Sequence, residues 1–117
     1  MEKQKKFKKI PFKLYSIMNI EDLYLAHNNI SKIPALIELL PNLTSLNLSY
    51  NNIIHINQNI KFLTKLQSLN LRNNKITKIQ KSIKELNNLE YLNLEGNRIS
   101  KIPVELTNMP KLMFFNV

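Results

Sequence analysis

The residues with side chains able to do chemistry are few: the chain holds two histidines, one glycine and no cysteine among 117 residues. Asp22, His27 and the nearby serines have the composition of a hydrolytic triad. Asp22 and His27, however, stand five residues apart on one extended segment, about 16 Å at the rise of a strand, and a triad needs direct hydrogen-bond contact. His27 and His55 occupy different positions of the pattern described below, so they make a poor metal pair. Without cysteine there is no thiolate zinc site, and one glycine cannot build a phosphate-cradling loop. No catalytic residue, metal or cofactor is expected. The remaining candidates suit recognition instead. Tyr24, His27, Tyr50, Arg72, Tyr91, Glu95 and Phe114 include the aromatic and arginine types that anchor protein interfaces.

Those seven positions are placed by a repeat. IEDLYLAHNNISKIP from Ile20 is followed 23 residues later by LTSLNLSYNNIIHIN from Leu43, then by LQSLNLRNNKITKIQ from Leu66 and LEYLNLEGNRISKIP from Leu89. A fifth copy opens at Leu112 and stops after LMFFNV. Six apolar columns run through the copies, among them Leu23, Leu46, Leu69, Leu92, Phe115 and Ile33, Ile56, Ile79, Ile102. The period also runs backwards, with Phe7, Ile10, Pro11, Leu14 and Ile17 each 23 residues before an apolar or proline column. Residues 1–19 therefore read as a basic segment plus a half-repeat that covers one end of the core. Residues 20–117 read as four full repeats and one truncated repeat.

Alternation in L-x-x-L-x-L makes each core a short strand with leucines inward. Since no repeat can bury its apolar edge alone, the copies must stack, giving a concave parallel sheet of about five short strands. The outward residues fall into rows. One reads Asp22, Ser45, Ser68, Tyr91, Phe114, and the next Tyr24, Asn47, Asn70, Asn93, Asn116, whose amides are expected to ladder along the sheet. A third reads Ala26, Ser49, Arg72, Glu95, and a fourth His27, Tyr50, Asn73, Gly96. Exposed aromatic pairs are expected at His27–Tyr50 and Tyr91–Phe114, with Arg72 beside Glu95 between them. Asn28, Asn51, Asn74 and Asn97 close each strand, where an amide can satisfy backbone groups left unpaired by the bend. The I-P-x-x-I-x-x-L stretch that follows is an outer arc. Pro34 and Pro103 disfavour a long helix there, so turns or short 3-10 pieces are expected.

This pattern resembles the leucine-rich-repeat superfamily over roughly residues 7–117, and its wording is most similar to intracellular Ras-group-related repeat proteins. Asn57 and Gln80 depart from it by standing where proline is usual. The resemblance implies an α/β solenoid and a non-enzymatic adaptor that binds a protein on its concave face, with a small GTPase or a phosphatase as the class of partner.

Charge supplies the competing expectation. Residues 1–13 hold six lysines against Glu2, a net +5 of the chain's +9, and Lys9, Lys32, His55, Lys78 and Lys101 line the loop that leaves the sheet. Such an edge attracts nucleic acid, anionic membrane or acidic protein, although it lacks interleaved aromatics for stacking on bases. A third alternative is a structural piece of a longer repeat protein. MEKQKKFKKIPFK has no apolar stretch behind its charges, and Glu2 stands where myristoylation needs glycine, so a cytoplasmic location is expected. At the other end, LMFFNV offers an open strand edge, to be covered by a continuation, a second copy or a partner strand.

Overall fold

A three-residue strand with an inward leucine at its centre is the smallest unit that can add to a parallel sheet and bury one side. The computed structural model describes residues 5–17 and 19–117, with the backbone alone at 114–116. In it the repeat cores form β1 (Asp22–Tyr24), β3 (Ser45–Asn47), β5 (Ser68–Asn70), β6 (Tyr91–Asn93) and β7 (Phe114–Asn116). They pair in that order as one parallel sheet of five strands. Register never slips: Leu23, Leu46, Leu69, Leu92 and Phe115 stand opposite one another across the sheet. A separate parallel ribbon joins β2 (Lys32–Ile33) to β4 (His55–Ile56). That ribbon was not expected, because two residues carry too little alternation to read as strand.

Each repeat returns on its far side through a 3-10 segment of five residues: η1 Phe12–Ser16, η2 Ala35–Leu39, η3 Gln58–Phe62, η4 Lys81–Glu85 and η5 Val104–Asn108. Pro11, Pro34 and Pro103 precede three of them. There the missing N–H costs nothing, while the proline carbonyl accepts the first bond of the turn, as in Ile37 N–H to Pro34 O at 3.1 Å. Asn57 replaces proline by another device. Its side chain accepts from Asn59 N–H at 2.9 Å, and its own N–H donates to Ile33 O at 3.0 Å, extending the β2–β4 ribbon.

The core fills the space between sheet and arcs. Leu46, Leu48, Ile53, Leu69, Leu71 and Ile76 are wholly buried, since each lies between two neighbouring repeats. Toward the last arc Ile99 is half-buried and Ile102 is 38% exposed, because only one neighbour covers them. The N-terminal half-repeat corrects its expectation in part. Ile10 is buried and Leu14 half-buried, but Phe7 and Ile17 are exposed, and Tyr15, outside every column, fills the core instead.

The Asn column stitches repeat to repeat. Asn51 Oδ1 accepts from Ile30 N–H at 3.0 Å, and its Nδ2 donates to Leu25 O in the preceding repeat and Leu48 O in its own, both at 3.0 Å. Asn74 does the same with Ile53, Leu48 and Leu71, and Asn97 with Ile76, Leu71 and Leu94. Asn28 accepts from Phe7 N–H at 2.9 Å. The period thus continues into the half-repeat through its backbone even though the Phe7 ring leaves the core. Bonds of this kind satisfy carbonyls that the bend strips from the sheet.

Candidate functional site

Side chains alternate across a strand, so the positions flanking each buried leucine form the concave face. The sheet register aligns Asp22, Ser45, Ser68, Tyr91 and Phe114 in one row and Tyr24, Asn47, Asn70, Asn93 and Asn116 in the next. Beyond the strands the ladder continues by backbone bonds that carry the fourth row: His27 N–H to Ser49 O at 3.1 Å, Tyr50 to Arg72 O at 2.8 Å, Asn73 to Glu95 O at 2.8 Å.

That fourth row has a feature the sequence reading missed. His27 (φ 59°), Tyr50 (φ 56°), Asn73 (φ 55°) and Gly96 (φ 75°) are all left-handed. The conformation costs a non-glycine residue about 1–2 kcal/mol, and it turns the chain out of the sheet just before each column Asn. Asparagine and glycine at two of the four positions are the types that adopt it most readily, and they were the available signal.

At the first two positions the turn sets two rings face to face. His27 and Tyr50 stack with centroids 4.4 Å apart and planes 11° from parallel, and both are exposed. Tyr24, on β1, is 65% exposed. The N-terminal half of the face therefore presents three rings, each with an apolar body and a polar atom at its rim, the combination that anchors interfaces.

The middle of the face carries charge. Arg72 Nε lies 3.9 Å from Glu95 Oε2, with both side chains 45% exposed. An open pair of this kind contributes about 0–1 kcal/mol and leaves both groups accessible to an incoming partner.

The C-terminal half departs from expectation. Tyr91 is half-buried rather than exposed, and its hydroxyl accepts from Asn93 Nδ2 at 3.0 Å. Asn93 lies two residues further on the same strand, so the ring runs along β6 instead of standing out from it. Phe114 pairs with Tyr91 through the backbone, but its side chain, like those of Phe115 and Asn116, lies outside the described residues. Ser49 and Asn93 also point into cover, at 5% and 6% exposure. The expected amide ladder is replaced by local bonds: Asn47, Asn70 and Asn93 Oδ1 accept from the N–H two residues on, at Ser49, Arg72 and Glu95. A side chain reaching its own backbone competes well against a bond across the sheet.

Comparison with known proteins follows the same architecture. The sequence profile for the leucine-rich repeat matches residues 18–76, 41–99 and 64–117, windows that step by one repeat. A leucine-rich-repeat protein of Leptospira interrogans shares the fold with a TM-score of 0.92 and 31% identity, over 96% of this chain and 29% of that one. Internalin C2 of Listeria monocytogenes gives 0.77 and 30%, over 88% of this chain and 44% of its own. TLR13, in a complex with ssRNA13, gives 0.70 and 33%, over 80% of this chain and 14% of that protein. The chain therefore spans less than half of each. No curated protein matches the sequence.

Proposed function

The chain belongs to the leucine-rich-repeat family, and on that premise we propose that it is a protein-interaction module that docks a protein partner on its concave face. The observation that carries this function is the exposed Tyr24, His27 and Tyr50 group standing beside the accessible Arg72 on the parallel sheet. His27 and Tyr50 hold each other by stacking, so these two rings lose little freedom on binding and more of their contact energy is retained. The finer assignment is an intracellular adaptor of the Ras-group-related kind that engages a small GTPase or a phosphatase. It is supported by the wording of the repeats alone.

A second reading, an electrostatic binder of nucleic acid, draws on the +9 charge and on the ssRNA13 complex formed by the similar TLR13. Salt separates the two, because contacts made mainly to phosphates weaken steeply as salt is added.

Affinity capture with quantitative mass spectrometry tests docking directly. At physiological salt, a protein captured by the wild type is expected to be lost from a folded variant carrying Tyr24→Ala and Arg72→Ala. Equal recovery by both would move the site off the concave face.

A further inference from the structure

Away from the sheet, successive outer arcs leave clefts between them, bordered by the row that begins Lys9, Lys32, His55. The cleft where η1 meets η2, of about 440 Å³, combines three lysines with an apolar wall, whereas the next cleft has one lysine among amides. Among the described residues Lys8, Lys9 and Lys32 line it without a carboxylate, whereas Glu105 sits among the lysines of the cleft between the last two arcs. Its remaining lining is apolar, including Phe12, Pro34 and Leu36, and Phe12 is 78% exposed. Tyr15 completes the wall, edge-on to Phe12 with ring centroids 6.3 Å apart. Only 8% of Tyr15 is exposed, and among the described residues its hydroxyl is the buried side-chain polar atom without a hydrogen-bond partner.

We propose that this cleft binds an acidic peptide segment of a partner protein, one that carries an apolar or aromatic side chain among its carboxylates. The apolar side chain covers the Phe12 and Leu36 surface, which otherwise faces water. The flanking carboxylates meet three ammonium groups that no acid of the cleft neutralises, and long-range attraction from Lys5 and Lys6 speeds the encounter. A nucleic acid would answer the lysines but leave Pro34 and Leu36 without a complement. The cleft lies on the arcs and not on the sheet, so this binding and concave docking can fail separately.

The test uses the full chain and two fluorescent peptides of equal charge. One has glutamates flanking a central leucine–phenylalanine pair, and the other has glycine–serine at the centre. In fluorescence polarisation at physiological salt, the first is expected to bind at least tenfold more tightly. The charge reversals Lys9→Glu with Lys32→Glu should weaken it tenfold or more, and Phe12→Ala should abolish the preference between the peptides. Both variants change exposed residues, and unchanged thermal unfolding would establish that they fold. Equal affinity for the two peptides, or wild-type binding by both variants, would overturn the proposal. So would a single-stranded oligonucleotide or phosphatidylserine vesicles that displace the apolar peptide at physiological salt.

Discussion

The imidazole of His27 lies over the phenol ring of Tyr50, 4.4 Å between centroids and 11° from parallel. The two residues are one repeat apart, both left-handed, and each donates its backbone N–H to the next repeat. The stack contributes about 0.5–1.5 kcal/mol, similar in size to the cost of one left-handed residue. Glycine at either position removes a ring and relieves the backbone together, so it is the substitution that separates binding from stability.

Gly96 is the reverse case. It is left-handed, and a Cβ there would run into Asn73 Oδ1. Gly96→Ala is expected to destabilise the fold by about 1–2 kcal/mol from the backbone alone, and by more from the clash. Adding Asn73→Ala should recover the clash and leave the backbone cost. Urea denaturation of both single variants and the double variant measures the two parts, and an additive cycle would show that the side chains do not meet.

Asn74 should matter more than Asn47. Alanine at 74 strands Ile53 N–H inside the protein, at about 1–3 kcal/mol for that buried group, and removes one of two amide donors from Leu48 O and Leu71 O, which keep Asn51 and Asn97. Among the described residues Asn47 serves the N–H and hydroxyl of Ser49 within its own repeat, so its loss should cost about 1 kcal/mol. Chemical denaturation is expected to place Asn74→Ala about 1–2 kcal/mol below Asn47→Ala, and equal losses would contradict the bridging role of the Asn column.

Position in the stack should grade the core. Leu69 is wholly buried between two neighbouring repeats, and Leu69→Ala is expected to cost about 2–5 kcal/mol. Ile102 is 38% exposed, and Ile102→Ala should cost no more than about 1 kcal/mol. Equal shifts in denaturation midpoint would contradict the column geometry.

Tyr15 should leave a mark at high pH. Burial raises the pKa of its hydroxyl above the ordinary 10.0. Below that value both folded and unfolded chains keep the proton. Above it the unfolded chain loses the proton first, so stability falls as pH rises, until the folded hydroxyl ionises as well. Tyr15→Phe should remove part of this alkaline loss. At neutral pH it is expected to be neutral or stabilising, because an unpartnered buried hydroxyl costs about 1–3 kcal/mol. Urea denaturation at neutral pH and above the usual tyrosine range reads both effects.

The columns were legible because a period of 23 residues fixes each leucine against its neighbours, and stacking then dictates strand, bend and arc. The His27–Tyr50 adjacency followed from the same count. What the count could not give was direction. Tyr91 occupies its expected row, yet a hydroxyl–amide bond two residues along the strand folds its ring onto β6. Asn47 and Asn70 likewise turned inward to their own repeats, since a bond within the repeat needs no matching partner. Tyr15 stood outside every column and entered the core where the half-repeat leaves room, and no periodic signal marks a residue that breaks the period.

Concave docking is tested most directly by titration calorimetry of a captured partner against the wild type and a variant carrying His27→Gly and Tyr50→Gly. Both proteins should unfold at similar denaturant concentrations, while the variant loses about 2 kcal/mol of binding free energy or more, roughly thirtyfold in affinity. Wild-type affinity in the folded variant would contradict docking on this face.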